Sequence, residues 1–283
     1  MTVLVATTLL VSGCHAADPH RPPGITADQS TLLDRAEQFL IRDCMRRHGF
    51  AYTVVPRATQ PRYRDFPYVV DDPGWARAHG YGTDLLRRRD AAARAEPNTR
   101  RWDRMPESTR AAALFALNGM PGARTDLTAV LPSGVTTRRS ATSCTSQAER
   151  RLYDDLPTWY RATRVTENLA PVRIRLVADD ARFRRAVARW GRCMADAGHD
   201  YDTPALARAA VLSAVPPMPR RREVALAVTE ATCAGQTGLS GTARRLDRQY
   251  ARTVDGRYAT AIADRKRLQR TAIPRAQAVV LAR

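Results

Sequence analysis

Lysine is almost absent from this sequence, in which Lys266 is the only example. Arginine therefore carries nearly all of the formal net charge of +18. Aromatic residues are also scarce, at 6%, but hydrophobic residues make up 44% of the 283 positions. This content suffices for a core of alanine, leucine and valine in one or two domains, and it argues against a chain that is disordered throughout.

The N-terminal apolar run, residues 3–11, is too short to span a bilayer, which takes about 20 residues. It has the length of the central region of a secretory signal, although no basic residue precedes it. The order that follows, Val11-Ser12-Gly13-Cys14, resembles the lipobox of bacterial lipoproteins. The resemblance implies cleavage before Cys14 and attachment of a diacylglyceryl group to its sulfur. A buried strand that ends in Gly-Cys is the alternative.

This pattern divides the N-terminal part of the chain into a lipoprotein signal peptide at 1–13 and a tether at 14–27. Pro19, Pro22 and Pro23 exclude a continuous helix or strand from the tether. We expect the mature protein to be anchored in membrane lipid through Cys14, on the outer face of the cytoplasmic membrane.

Four cysteines remain when Cys14 is set aside. An even number is typical of disulfides in an oxidising compartment, and four cysteines allow three pairings. A metal site built on Cys44 with His48, or on Cys193 with His199, is the alternative use. Neither spacing matches a zinc motif, so we expect no metal and no cofactor.

A short motif occurs twice at one constant offset. The first copy recurs 149 positions later (193 − 44), so that Cys44, Met45, Gly49 and Tyr52 correspond to Cys193, Met194, Gly198 and Tyr201. Each copy ends an amphipathic helical pattern, and its glycine is typical of a helix C-terminus. Duplication of a unit would duplicate its disulfide, which favours the pairs Cys44–Cys144 and Cys193–Cys233. In the chain-entropy treatment each would stabilise the fold by roughly 4 kcal/mol.

The duplicated motif resembles one found in a family of uncharacterised secreted proteins and lipoproteins of actinobacteria. An alanine-rich helical pattern at 222–233 and a long C-terminal helical pattern belong to the same resemblance, which extends over residues 32–268. The resemblance implies an extracytoplasmic location and disulfides. It implies no activity, so it supplies no catalytic residue.

Helical periodicity predicts a mainly α fold. We expect two disulfide-linked helical pseudo-repeats, at 28–175 and 176–283. The first would contain an irregular insertion between Tyr52 and Met105, in which a hairpin fits, and the second would end in a long amphipathic helix. The predicted helices lie at 28–47, 106–118, 147–167, 180–197, 221–232 and 242–270.

No catalytic residue is predicted, because the sequence has no Gly-x-Ser-x-Gly elbow or other recognisable nucleophile site. A site could be built only from pairs such as His79 with Asp84 or His199 with Asp200. An envelope hydrolase is therefore a second hypothesis. Adjacent carboxylates do not face each other in a helix, and we interpret three such pairs as structural, for example as helix N-caps: Asp71-Asp72, Asp154-Asp155 and Asp179-Asp180.

The basic surface would attract polyanions over roughly 10 Å at 0.1 M salt. Arginine doublets and triplets are scattered along the chain without an aromatic platform or a helix-turn-helix, so specific nucleic-acid recognition is not expected. We expect a diffuse attraction to anionic lipid or wall polymer. The leading hypothesis is a non-enzymatic envelope lipoprotein with a binding or structural role, and a cytoplasmic nucleic-acid-binding protein is the third.

Overall fold

A computed structural model describes residues 24–55, 63–120, 122 and 126–283. The predicted signal peptide, Cys14 and residues 14–23 of the predicted tether lie outside these ranges. Within them the fold is mainly helical, as predicted. No helix of the described chain is both long enough and apolar enough to cross a membrane.

The elements of the described chain are helices and one pair of short strands. In the first half they are α1 (Ala27–Arg47), α2 (Pro73–His79), α3 (Thr83–Ala95), α4 (Pro97–Asp103), α5 (Glu107–Asn118), β1 (Leu127–Val130), β2 (Thr136–Arg139), α6 (Cys144–Tyr153) and α7 (Leu156–Glu167). In the second half they are α8 (Leu169–Asp179), α9 (Ala181–Asp196), α10 (Pro204–Leu212), α11 (Arg220–Gln236), α12 (Leu239–Arg257) and α13 (Ala259–Leu281). The two strands form an antiparallel hairpin.

Two large hydrophobic cores and a small cluster of Val165, Leu169 and Val254 hold these elements together, and neither large core is contiguous in sequence. The first core contains residues of α1, α5, α6 and α7 and is completed by buried residues of α13. The second contains residues of α9, α10, α11 and α12 and is completed by the segment 66–81. The predicted boundary between residues 175 and 176 falls inside α8. Each half of the sequence therefore contributes to both cores.

Both predicted disulfides are present. Cys44–Cys144 joins the last turn of α1 to the first turn of α6, with Cα atoms 5.5 Å apart. Cys193–Cys233 joins α9 to α11, with Cα atoms 5.8 Å apart. The first pair lies in the first core, and the second pair lies in or against the second core.

The two Cys-Met motifs end their helices with the same backbone geometry. The amide of Phe50 donates to the carbonyl of Met45 at 2.9 Å, and the amide of His199 donates to that of Met194 at 2.8 Å. The intervening glycines, Gly49 and Gly198, both have φ of +81°, a conformation that glycine adopts without the steric cost of a Cβ. Both methionine side chains are fully buried.

The predicted helices at 147–167 and 242–270 are each divided in the structure. The first becomes α6 and α7, because a proline is disfavoured within a helix and Pro157 instead occupies the first turn of α7. The second becomes α12 and α13, and the break at Tyr258 follows Gly256, which has a low helix propensity. The other four predicted helices correspond to α1, α5, α9 and α11.

The hairpin expected between Tyr52 and Met105 is not there, and that expectation is wrong for the described part of the segment. It contains α2, α3 and α4, and the hairpin lies instead at 127–139. Two of these short helices have a proline in their first turn behind a carboxylate N-cap, Asp72 for α2 and Glu96 for α4. Such prolines start helices as well as break them.

The two disulfides differ in their access to solvent. Cys44 and Cys144 are 1% and 0% exposed, whereas Cys193 is half-buried. A thiolate must reach a sulfur atom to reduce the bond. We therefore expect dithiothreitol to open Cys193–Cys233 first in the folded protein. Partial reduction, alkylation and peptide mass spectrometry would show it, and earlier labelling of Cys44 and Cys144 would contradict it.

Candidate functional site

An open groove of about 810 Å³ runs along α9. This volume is within the range of small-molecule sites, roughly 300–1,000 Å³. The lining is mainly apolar, and its charged side chains are exposed at the rim. It comprises Pro67 and Tyr68, Ile174 and Ala178 of α8, the α9 residues Phe183, Arg184, Val187, Ala188, Gly191, Arg192 and Ala195, and residues 200–205.

The α9 wall is smooth because its side chains are small. Val187, Gly191 and Ala195 are spaced four residues apart, which places them on one face of the helix. A Cβ added to Gly191 would lie 3.4 Å from the backbone carbonyl oxygen of Asp202, so the segment 200–205 runs close beside the helix at this point. The neighbouring face of α9 buries Trp190 in the second core. Trp190 thus fixes α9 in the second core, while Val187, Gly191 and Ala195 form an apolar wall of the groove.

Tyr68 forms the end wall of the groove and is fixed at both ends of its side chain. Its ring packs edge-on against Phe183, with centroids 5.8 Å apart. Its hydroxyl donates to the carboxylate of Asp247 at 2.5 Å, and Arg173 donates to the same oxygen at 2.7 Å. Burial and the neighbouring Asp247 raise the pKa of Tyr68, so the side chain stays a neutral hydrogen-bond donor.

The segment that carries this wall is held by two buried glutamates of α11. Glu230 accepts hydrogen bonds from the amide of Val70, at 2.7 Å, and from the hydroxyl of Tyr81. Glu223 accepts from the amide of Tyr81 at 3.0 Å and from the hydroxyl of Thr83 at 2.6 Å. The two carboxylates are 1% and 2% exposed, respectively. We call Glu223 and Glu230 the carboxylate clamp.

Gly80 leaves the space that the carboxylate of Glu223 occupies. It has φ of +57°, and a Cβ at this position would lie 2.7 Å from the Oε1 atom of Glu223. Any other residue would therefore combine backbone strain with a steric clash against a buried carboxylate. Arg220 completes the site, with a guanidinium nitrogen 3.1 Å from Glu223.

A second cavity of about 290 Å³ adjoins the groove and shares Pro67, Tyr68, Pro204 and Ala205 with it. Glu230 and Arg208 are among its lining residues. Glu230 of the clamp therefore borders a cavity next to the groove, and any movement of residues 66–70 would alter both cavities.

The structure decides between the uses of cysteine that the sequence left open. Sulfur atoms of Cys44 and Cys144 lie within 4.8 Å of a ring nitrogen of His48, a spacing that could suit a metal ion. However, the two cysteines are joined in a disulfide, so they offer no thiolate ligand. His48 is exposed and caps α1 through its backbone.

Of the two histidine–carboxylate pairs, the structure brings only one together. The Nδ1 atom of His79 lies 3.0 Å from the carboxylate of Asp84, and Arg220 donates to the backbone carbonyl of His79 at 2.8 Å. These contacts tie α2 to α3 and α11. Among the described residues, no hydrogen bond or ion pair joins His199 to Asp200.

The three adjacent aspartate pairs are structural, as interpreted from the sequence. The second member of each pair is a helix N-cap whose carboxylate accepts a backbone N–H. Asp72 accepts from Trp75, Asp155 from Thr158, and Asp180 from Arg182.

Comparison with known protein families, curated proteins and solved structures finds no match to this chain. The function is therefore argued from the groove and its surroundings. Neither the groove nor the carboxylate clamp was predicted from the sequence. The one signal for the clamp is the seven-residue spacing of Glu223 and Glu230, which places both on the helix face that also buries Leu226 and Ala227.

Burial raises the pKa of Glu230 to about 7. Between about pH 4.5 and pH 7 the folded protein thus holds a proton that the unfolded chain has lost. This proton stabilises the folded state. Its contribution to the free energy of unfolding, on the order of 3 kcal/mol, is fully present below about pH 4.5 and is lost as pH rises through 7. We expect Glu230→Gln to reduce the difference in unfolding free energy between pH 5 and pH 8, measured by urea denaturation.

The matched control for this comparison is Glu107→Gln, at an exposed glutamate of α5. Glu37, whose pKa burial and the carboxylates of Glu149 and Asp34 raise to about 8, contributes the same slope to every variant. The comparison with wild type therefore isolates Glu230. An unchanged pH dependence in Glu230→Gln would show that Glu230 does not titrate in this range.

Proposed function

We propose that this protein is an extracytoplasmic, lipid-anchored binding protein that holds an apolar chain in the groove along α9, without catalysing a reaction on it. The groove is the observation that supports the proposal most directly. Its walls are Val187, Ala188, Ile174 and Phe183, and apolar surface removed from water contributes roughly 25 cal/mol per Å². An elongated hydrocarbon is the ligand that this lining favours.

The disulfides support the location. Such bonds form and persist in oxidising compartments and are rare in the cytoplasm. The sequence Val11-Ser12-Gly13-Cys14 adds the expectation of a lipid anchor, and the resemblance to actinobacterial secreted proteins and lipoproteins agrees with it. An anchor at Cys14 would keep the groove near a membrane, where hydrocarbon chains are concentrated.

The arginine-rich surface supports the same setting. With a net charge of +18, the protein would be attracted to anionic lipid or wall polymer by a diffuse, salt-sensitive force. This attraction needs no specific contact. It would bring the protein close to an anionic envelope surface without fixing its orientation.

Blocking the groove tests the proposal. Ala188 is exposed on the α9 wall, and a tryptophan there would occupy the space of the ligand. We expect Ala188→Trp to weaken binding of a fluorescent polyene fatty acid by at least about tenfold, as overpacking by 1–3 kcal/mol implies. Titration followed by fluorescence measures the affinity.

Ala181→Trp is the matched control, since Ala181 is exposed on the same helix and is not part of the groove lining. It should leave the affinity unchanged. The proposal fails if the wild-type protein does not bind the fatty acid, or if the two tryptophan variants weaken binding equally.

The anchor has its own test. Replacing Cys14 by alanine removes the sulfur to which the diacylglyceryl group would be attached. A single lipidated N-terminus supplies the hydrophobic attachment to the membrane. We expect Cys14→Ala to move the protein from the membrane fraction to the medium of the producing cell, as followed by immunoblotting. Unchanged membrane association after a high-salt wash would count against lipidation at this residue.

A further inference from the structure

Three charged side chains are gathered at one end of the groove. Arg192 follows Gly191, which lies against the backbone of Asp202, so these two residues are at the same level of the groove. Asp200 lines the same end. All three side chains are exposed, and none of them forms a hydrogen bond or ion pair with another described residue. Within the described part of the chain, this end of the groove therefore offers one guanidinium and two carboxylates without a partner.

The other end of the groove is mainly apolar. It is formed by Ile174 and Ala178 of α8, together with Phe183 and Tyr68. Arg184 is the one charged residue there, two helical turns or about 12 Å from Arg192. The groove thus changes from hydrocarbon to mixed charge along its length, which is the order of groups in a phospholipid.

We propose that the ligand is a phospholipid with an ethanolamine head, its acyl chain along the α9 wall and its head at Arg192, Asp200 and Asp202. The inference rests on the proposed function. Arg192 would donate to the phosphate, and the two carboxylates would accept N–H bonds from the ammonium. Charge-assisted hydrogen bonds of both kinds are stronger than neutral ones.

The mixed charge selects among lipid heads. A purely anionic head would satisfy Arg192 but would be repelled by Asp200 and Asp202. A choline head carries the same charges as ethanolamine, but its quaternary ammonium has no N–H group to donate. Only a head with both a phosphate and a protonated primary amine satisfies all three side chains.

Displacement of the fluorescent fatty acid by single-chain lipids tests the inference. The probes are lysophosphatidylethanolamine, lysophosphatidylcholine and lysophosphatidylglycerol with the same acyl chain, each used below its micellar concentration. We expect the ethanolamine lipid to displace the fatty acid at a concentration about tenfold lower than the other two, a preference on the scale of a hydrogen bond to a charged group.

Charge variants assign this preference to the side chains. Asp200→Asn combined with Asp202→Asn should bring the ethanolamine lipid down to the affinity of the choline lipid without weakening the glycerol lipid. Arg192→Gln should weaken all three. Asp196→Asn and Arg185→Gln are the controls, because both residues are exposed on α9 and do not line the groove.

The outcomes separate the head-group inference from the proposed function. Equal displacement by the three lipids, or strongest displacement by the glycerol lipid, overturns the head-group inference. The groove is still supported as a binding site if fatty acid binding is weakened by Ala188→Trp. An ethanolamine preference that survives loss of both aspartates also overturns it. If neither fatty acid nor lysolipid binds, the proposed function itself fails.

Discussion

The carboxylate clamp is the interaction on which the arrangement of the second core depends. Glu223 and Glu230 project from α11 into the buried interior of the protein, where an ionised group without partners would cost several kcal/mol. Donors from residues 70–83 satisfy both carboxylates. The two glutamates therefore need donors from this segment to be buried, and the segment is held in place by these hydrogen bonds. Since Pro67 and Tyr68 lie directly before this segment, the end wall of the groove takes its position from the clamp.

Each disulfide joins helices of one core. The clamp, in contrast, holds a segment from the first half of the sequence in the second core. Cys44–Cys144 ties the first core, and Cys193–Cys233 holds α9 against α11. Neither disulfide constrains residues 66–83, which belong to the first half of the sequence but pack in the second core. Hydrogen bonds to buried carboxylates hold that segment, and α13 makes the reverse crossing by packing apolar residues into the first core. Disulfides thus join helices within each core, whereas hydrogen bonds and apolar packing hold the segments that cross from one half of the sequence to the other core.

The parts of the fold that were predicted from sequence are those determined locally. The Cys-Met motif with its glycine, the long amphipathic helices and the aspartate N-caps each depend on residues within a few positions. The disulfide pairing followed from the repeat. The clamp could not be predicted, because Glu223 looks like an ordinary surface residue until Tyr81, 142 positions away, is brought to it. The groove was not predicted because two of the helices that line it were not: α8 contains Pro171, and α10 begins at Pro204.

The distribution of these features gives each core a separate part in the proposed function. The chain that follows the predicted tether enters α1, which belongs to the first core, whereas every helix that lines the groove contributes to the second. An anchor at Cys14 would then attach to one core and the ligand to the other. The first core and its buried disulfide would connect the anchor to the core that carries the groove. The α12–α13 pair, which contributes to both cores, would set the orientation of the groove relative to the anchor.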